Sequence, residues 1–297
     1  MSQNAPPPKL PLFATVLAAY AGVFRNSLVF LQLAWLPSAV IILLAVAANA
    51  FSAHIPLDCV PGQPIDPGKQ WQHDLTTLAV SLSEELLSLP FFAWIAVAWH
   101  RFILLGDRPA TPYQTAVGSR IWLYALWAFF LAVRGSLLSF LPALAAGMAA
   151  LLIVSLGTGL FNVPTNLTGE LDNFTLIYLA PAITAIPVLI LGPFLLARQM
   201  LALPAMAIGE SNVNRTTVLT ATQGNYWRLL AGLIMSALPL GILNALWQWY
   251  AAAPSLGQAA YPWLNLNSMV EILSTAVAAG FLSLAYRHFF PSRLVGK

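Results

Sequence analysis

The feature that most constrains this chain is a series of apolar runs, each roughly 20 residues long, the length of a helix that crosses a bilayer core of ~30 Å. Short polar loops separate these runs. Only 8% of the 297 residues are charged and 59% are hydrophobic, whereas a soluble domain carries about a quarter charged residues. The alternating segments of a β-barrel, about ten residues each, are missing from the sequence. The sequence therefore predicts an all-α, polytopic transmembrane helical bundle.

Six membrane spans are expected, at residues 28–48, 85–101 (continuing through 105), 136–156, 175–196, 230–250 and 269–286. Residues 12–24 and 218–226 are expected to form amphipathic helices on the membrane surface. Residues 50–74 contain four prolines and predict an extended polar loop. All spans belong to one domain, residues 12–290, between a Pro-rich disordered tail at 1–11 and a cytoplasmic tail at 291–297.

The apolar stretch 121–159 is almost twice the length of a span and is interrupted by Arg134 and Gly135. The favoured interpretation is that residues 121–133 dip into one leaflet and that residues 136–156 cross. A full crossing by 121–133 would invert every later loop. A single long helix would keep the order of the loops but place Arg134 in the bilayer, at roughly 2.5–3.5 kcal/mol on insertion scales.

The basic residues predict the orientation of the chain. With six spans and a dipping segment, twelve Lys and Arg side chains fall on one side and Lys69 alone falls on the other. Cytoplasmic loops are the ones enriched in Lys and Arg, so both termini are expected in the cytoplasm. The twelve residues are Lys9, Arg25, Arg101, Arg108, Arg120, Arg134, Arg198, Arg215, Arg228, Arg287, Arg293 and Lys297.

Shifting the chain along itself reveals a candidate internal repeat. An offset of 202 residues brings Gly22 and Pro37 onto Gly224 and Pro239, an offset of 186 brings Glu85 and Arg101 onto Glu271 and Arg287, and an offset of 97 brings Arg101 onto Arg198. The predicted units are residues 12–112, 113–212 and 213–290, each with a surface helix, two spans and an arginine at the inner boundary. Chance alignment of apolar sequence is the alternative.

Two short motifs resemble a known bacterial group. Arg198 is followed by Leu203, Pro204 and Ala205, and a Gly-Asn-aromatic-Trp-Arg-Leu-Leu motif runs over residues 224–230. Together they resemble the six-span membrane domain attached to some glycerophosphodiester phosphodiesterases, and stand-alone inner-membrane proteins of the YciC type. The resemblance implies a membrane fold. It brings no catalytic residues, and the chain contains no phosphodiesterase domain.

Six arginines are candidate ligands for lipid headgroups or other anions, because basic side chains at inner helix ends face anionic lipid. A purely topological role explains them equally well. The histidines beside two of them, His100 and His288, belong to the same candidate set. The arginines are Arg101, Arg120, Arg198, Arg215, Arg228 and Arg287.

Glu85 and Glu271 are predicted outer-face carboxylates, and Glu84 adjoins them. Each of the aligned pair lies 16 residues before an arginine, which is about 24 Å along a helix. Acids at this depth bind a cation or proton in some membrane proteins, but an acid at a helix N-terminus is the simpler interpretation.

Other chemistry is not expected from the sequence. His54, Asp58, Cys59, Asp66, His73 and Asp74 share the loop 50–74, but they lack the close pair spacing of zinc ligands. No catalytic constellation is recognisable, and neither a metal nor a cofactor is predicted. The net charge of +3 is spread over helix ends rather than concentrated in a patch, which argues against nucleic acid.

The expected function is that of a non-enzymatic inner-membrane protein that binds lipid, or other membrane proteins, in envelope maintenance. A small transporter or channel is the alternative, because proline-broken spans line substrate sites in transporters.

Overall fold

The computed structural model describes residues 8–53, 67–108, 118–160, 196–210, 215–251 and 266–291, together with Val213. These residues form helices and connecting turns, with no strand among them. The helices are α1 (Leu12–Arg25), α2 (Ser27–Ala53), α3 (Pro67–Leu105), α4 (Gly118–Leu160), α5 (Ala202–Ile208), α6 (Arg215–Ala221), α7 (Tyr226–Ala251) and α8 (Leu266–Phe289). A single 3₁₀ turn, Gln199–Leu201, precedes α5.

Four of these helices are long and apolar enough to cross a bilayer, which confirms the expectation of a helical membrane protein. The qualifying segments are Ser27–Ser52, Trp71–Leu105, Tyr226–Trp247 and Leu266–Phe289. Three of the helices contain an internal proline: Pro37, Pro90 and Pro239. Neighbouring helices in a membrane can re-satisfy the carbonyl that a proline frees, so these prolines are compatible with continuous spans.

Helix α8 lies at the centre of the bundle and packs against α1, α2, α3, α5 and α7. Its buried face includes Ala276, Ala279 and Gly280. Small residues allow helix backbones to approach closely, which is the main source of helix association in lipid. An added Cβ on Gly280 would lie 3.5 Å from the Cβ of Ala19, so α1 is seated directly on this small-residue face.

The predicted surface helix at 12–24 corresponds closely in its bounds to α1, which is separated from α2 by one residue, Asn26. Val16, Ala19 and Val23 are buried against the bundle, whereas Phe13 and Leu17 are exposed. The exposed face is therefore largely apolar, unlike the polar face of an amphipathic surface helix.

The N-terminal part of α3 corrects the predicted loop at 50–74. Helix α3 begins at Pro67, so residues 67–74 are helical rather than extended. Proline is well accepted at the first position of a helix, where its missing N–H would have no partner in any case. Residues 54–66 lie outside the described residues.

Helix α4 corrects the favoured interpretation of residues 121–159. It runs without a break through Arg134 and Gly135, from Gly118 to Leu160. Arg134 donates a 3.2 Å hydrogen bond from Nη1 to Gln199 Oε1, so the arginine finds a polar partner without ending the helix. Because its 43 residues measure about 64 Å, α4 is too long to stand upright within one bilayer.

The amphipathic segment at 218–226 is also shorter than predicted. Helix α6 ends at Ala221, and Tyr226 is already the first residue of α7. Gly224 between them has φ +77°, a left-handed conformation that favours glycine and turns the chain. Of the remaining predicted spans, 136–156 lies inside α4, and 175–195 falls outside the described residues.

Candidate functional site

The two ends of the bundle carry different chemistry. Helices α3 and α8 run in the same direction, each from a glutamate to an arginine 16 residues later, about 24 Å along the axis. His100 of α3 contacts Ser283 of α8, which fixes the register of the pair. We therefore call one end, with Arg101 and Arg287, the arginine end, and the other, with Glu85 and Glu271, the carboxylate end.

A buried hydrogen-bond chain joins three helices near the arginine end. Ser283 Oγ donates to Ala279 O at 2.9 Å, so it accepts from His100 Nδ1 at 2.7 Å. The other ring nitrogen, Nε2, then accepts from Tyr124 Oη at 3.0 Å. A neutral imidazole satisfies both contacts. His100 is fully buried, so the expectation that it faces lipid headgroups is wrong.

The Gly-Asn-aromatic-Trp-Arg motif at the start of α7 holds the N-terminal segment of the chain. Asn225 is buried and uses both ends of its amide: Oδ1 accepts from Leu10 N at 2.9 Å, and Nδ2 donates to Pro8 O at 3.0 Å. Arg228 Nη1 donates to Leu10 O at 2.6 Å. The side chains of Asn225 and Arg228 therefore form hydrogen bonds with backbone groups of residues 8–10.

Two further contacts complete this region. Arg198 donates from Nε to Thr222 Oγ1 at 2.8 Å and from Nη2 to Leu219 O. Tyr20 Oη donates to Ser236 O at 2.8 Å. Burial raises the pKa of the Tyr20 hydroxyl, so it stays protonated and remains a donor.

The six candidate arginines share one end of the bundle but do not converge on one pocket. Arg198 and Arg228 donate to the protein itself, and Arg101 forms an ion pair with Asp107. The guanidinium of Arg120 covers Gly209, where an added Cβ would lie 2.8 Å from its Cζ. Arg215 is exposed at the first position of α6, and Arg287 is exposed near the end of α8.

The predicted outer carboxylates do come together. Glu84, Glu85 and Glu271 line one cavity of about 1070 Å³, bounded by α2, α3, α4 and α8. The lining mixes apolar and polar side chains, and α3 contributes both kinds. The apolar lining includes Ile41, Leu82, Leu89, Phe92, Phe129, Val133 and Leu137; the polar lining adds Ser88, Asn267, Ser274 and Thr275 to the three glutamates. We call this space the carboxylate cavity.

One carboxylate of the cavity is oriented by a relay of amides. Asn244 Nδ2 on α7 donates to Asn267 Oδ1 at 2.6 Å, and Asn267 Nδ2 donates to Glu271 Oε1 at 2.8 Å. Within the described part of the chain, no basic side chain pairs with any of the three glutamates. Among the described residues, the cavity therefore combines three carboxyl groups, without a basic partner, with an apolar surface.

The described residues contain no group of three His, Cys, Asp or Glu side chains placed to hold a metal ion. Of the candidates in the loop at 50–74, His73 and Asp74 belong to α3, whereas His54, Asp58, Cys59 and Asp66 lie outside the described residues.

Sequence reasoning missed two features of these ends. The buried chain through His100 gave no signal, because a histidine next to an arginine is typical of an interfacial position. The apolar lining of the carboxylate cavity was missed because it comes from three helices. The sequence of a single helix does not show which of its faces turns toward the other two.

Comparison with known proteins found no matching family model, no matching curated protein and no matching solved structure. The resemblance to the phosphodiesterase-associated and YciC-type membrane domains stays a prediction.

Proposed function

We propose that this chain is a non-enzymatic integral membrane protein that binds a lipid or a similar amphiphile in the carboxylate cavity. The observation that carries the proposal is the presence of apolar side chains and three carboxylates in the lining of one cavity. Its volume of about 1070 Å³ lies near the upper end of small-molecule sites, roughly 300–1,000 Å³. A ligand with an acyl chain and a positively charged head suits both kinds of lining residue.

Within a membrane, escape from water does not drive the acyl chain into the cavity, because lipid tails are as apolar as the lining side chains. The acyl chain gains affinity from close packing against lining residues such as Phe92 and Phe129. The glutamates mainly determine which head group is preferred. Each of them attracts a cationic head weakly, and together they repel an anionic head.

The placement in the cell follows from the charges. Basic residues collect on the cytoplasmic side of bacterial membrane proteins, so the arginine end faces the cytoplasm and the carboxylate cavity opens toward the outer half of the inner membrane.

Two sections of the chain share one order, a short helix followed by a long helix with an internal proline: α1 with α2, and α6 with α7. This order supports a relation between the first and the last of the three proposed units; the middle unit and the total of six spans are part of the proposal, as the YciC-type resemblance implies.

Within the residues that the structure describes, a pair that resembles a nucleophile and its base does not support an enzymatic role. Ser283 and His100 are within hydrogen-bonding distance, but both are fully buried and the serine proton is donated to Ala279 O. The pair stabilises the packing of helices instead. A binding protein of this kind would maintain the envelope through lipids or through partner membrane proteins.

The test compares two amphiphiles that share a tail and differ in head charge, dodecyltrimethylammonium and dodecyl sulfate. Each is titrated into the full chain in maltoside detergent below its own micelle concentration, and bound molecules are counted by native mass spectrometry. Ala132→Trp fills the cavity, and Leu126→Trp, on an exposed position of the same helix outside the lining, is its matched control.

We expect the cationic probe to bind preferentially, Ala132→Trp to abolish binding, and Leu126→Trp to leave it intact. Glu84→Gln should weaken the cationic probe about two- to fivefold, the range of an exposed charge. Equal binding to the two tryptophan variants would show that the cavity is not the site.

A cation-coupled transporter is the second candidate, favoured by the three carboxylates without a basic partner. It predicts uptake of a monovalent cation into proteoliposomes, lost in Glu271→Gln. Amphiphile binding without uptake would leave the first proposal standing and remove this one.

A further inference from the structure

Helix α7 is divided into two halves by Pro239. Because proline has no N–H, the carbonyl of Met235, four residues earlier, has no backbone donor within the helix. Proline is also the usual position of a kink in a long helix. We call residues 236–240 the proline hinge, since the bend of α7 at this point decides where its second half lies.

The first half of α7 is held by its neighbours. At its beginning, Asn225 and Arg228 bind the backbone of residues 8–10. Farther along, Gly232 lies against α8, so closely that an added Cβ would be 2.1 Å from Phe281 Cζ. The first half is therefore fixed relative to α1 and α8.

The second half of α7 is less packed. After the buried Leu240, most positions are exposed. Asn244 is half-buried among them and donates from Nδ2 to Asn267 Oδ1 at 2.6 Å. A segment with few buried side chains is easily displaced, so the position of this half depends on the hinge and on the bond from Asn244. The exposed residues are Gly241, Ile242, Leu243, Ala245 and Leu246.

A hydroxyl group of α1 reaches the proline hinge. Tyr20 Oη donates to Ser236 O at 2.8 Å, the carbonyl next to the one that Pro239 leaves without a donor. Ser236 is fully buried, and its Oγ donates to Gly232 O at 2.7 Å. A helix becomes convex on the side where its carbonyls tilt outward to another donor. The bond from Tyr20 therefore favours one bend, with the convex side of α7 toward α1.

The bend of α7 determines the orientation of one carboxylate of the carboxylate cavity. Asn244 follows Pro239 by five residues, which is about 7.5 Å along a helix. A change of ~20° in the bend, the size of a distinct kink, would move Asn244 by about 2.5 Å. Such a displacement breaks its bond to Asn267, because hydrogen bonds weaken beyond about 3.2 Å. Asn267 would then no longer be held on Glu271 Oε1.

We propose that α1 regulates the carboxylate cavity through the proline hinge of α7. With Tyr20 bonded to Ser236 O, α7 keeps the bend in which Asn244 and Asn267 orient Glu271. When this contact is broken, the second half of α7 shifts and Glu271 loses its orientation. A cationic head then binds less tightly, because part of its binding free energy is spent on ordering the carboxylate. The effect on a ligand rests on the proposed function, whereas the movement of α7 does not.

The first experiment follows the hinge without a ligand. Nitroxide labels are attached to cysteines introduced into the full chain, with Cys59→Ser, in maltoside detergent. One label pair joins Leu243, in the second half of α7, to Leu86 on α3, and the other joins Ile234, in the first half, to the same Leu86. These three side chains are exposed. Double electron–electron resonance measures both distances.

Three variants are compared by these distances. Tyr20→Phe removes the donor to the hinge, and Pro239→Ala restores the N–H that the proline lacks. Tyr124→Phe makes the same chemical change as Tyr20→Phe at a buried tyrosine of α4 that contacts His100, and it is the matched control for a general loosening of the bundle.

We expect Tyr20→Phe to change the 243–86 distance by about 2–3 Å and to leave the 234–86 distance unchanged. In a Pro239→Ala background, Tyr20→Phe should have no effect, and Tyr124→Phe should change neither distance. The proposal would be overturned by an unchanged 243–86 distance in Tyr20→Phe, or by an equal change in Tyr124→Phe.

The second experiment counts bound dodecyltrimethylammonium by native mass spectrometry. Tyr20→Phe and Asn244→Leu should each weaken binding about two- to fivefold, the range of an exposed charge. The double variant should lose no more than either single variant, because both act through Glu271. Losses that multiply would show that Tyr20 does not act through Asn244 and would overturn the regulation. If the unsubstituted chain fails to bind the probe, the amphiphile site is wrong, and the distances still decide the role of the hinge.

Discussion

The arginine end and the carboxylate end differ in how their polar groups are used. At the arginine end, Arg198, Arg228 and Asn225 donate to backbone or side-chain oxygens of the same chain. Of the three glutamates at the carboxylate end, Glu271 alone accepts a side-chain hydrogen bond from another described residue, and none of the three has a basic partner among those residues.

This difference separates groups that stabilise the fold from groups that are available to a ligand. A buried polar group that loses its partner costs about 1–3 kcal/mol, so the contacts at the arginine end resist change. Exposed charges around an open cavity contribute little to the fold. Substitutions at the two ends should therefore have effects of very different size on stability.

The largest effect is expected from Asn225→Leu. The substitution removes both amide contacts with residues 8–10 and leaves Leu10 N–H buried without an acceptor, so we expect a loss of about 2–4 kcal/mol. The measurement is unfolding in mixed detergent micelles. Gln223→Leu, two residues away and exposed, is the control, and similar losses in both would contradict the assigned role of Asn225.

A smaller loss is expected from Gly232→Ala on α7. Its new Cβ would lie 2.1 Å from Phe281 Cζ, and Phe281 is fully buried on α8, so the two helices must separate. Overpacking of this kind costs about 1–3 kcal/mol. Gly241→Ala lies on the same helix with no atom within 4 Å of the added Cβ, and alanine has the higher helix propensity. An equal loss of stability in Gly241→Ala would therefore show that contact with Phe281 is not the cause.

Tyr124→Phe should cost about 1 kcal/mol, because it removes the donor to His100 Nε2 and leaves a buried acceptor unsatisfied. Thermal unfolding in detergent measures the change. Tyr226→Phe, at the less buried start of α7, provides a comparison with the same chemical change. An unchanged melting temperature in Tyr124→Phe would show that the chain through His100 does not hold α4 in place.

The smallest effect is expected from Glu84→Gln. Removing one of three like charges around the carboxylate cavity should change the free energy of unfolding by no more than about 0.5 kcal/mol. Chemical unfolding of the variant and of the unsubstituted chain measures this difference. A loss as large as that of Asn225→Leu would abolish the distinction between the two ends.

The long helices could be predicted well where apolar runs end at polar residues. Predicted spans at 28–48, 230–250 and 269–286 differ from α2, α7 and α8 by a few residues at each end. The start of α3 could not be predicted in the same way, because prolines and polar residues before residue 75 are typical of loops. Pro67 is compatible with both a loop and the first turn of a helix, so the sequence alone does not decide between them.

The candidate site was predictable in its spacing and not in its contacts. Equal distances from Glu85 to Arg101 and from Glu271 to Arg287 correctly placed the two acids at one level. The break predicted at Arg134 was wrong because Gln199, 65 residues away, supplies a partner that no local pattern reveals. The intramolecular hydrogen bonds of Arg198 and Arg228 likewise depend on turns such as the one at Gly224, which no local pattern reveals.

The hydrogen bonds from Asn225 and Arg228 to residues 8–10 have a consequence for biosynthesis. The bonded residues are 215 to 218 positions apart, so the first helix leaves the ribosome long before its anchor exists. At about 5–20 residues per second, the delay is roughly 10–45 s. During that interval α7 and α8, against which α1 packs, have not been synthesised. The packing of the bundle is completed only after the final third of the chain has been inserted.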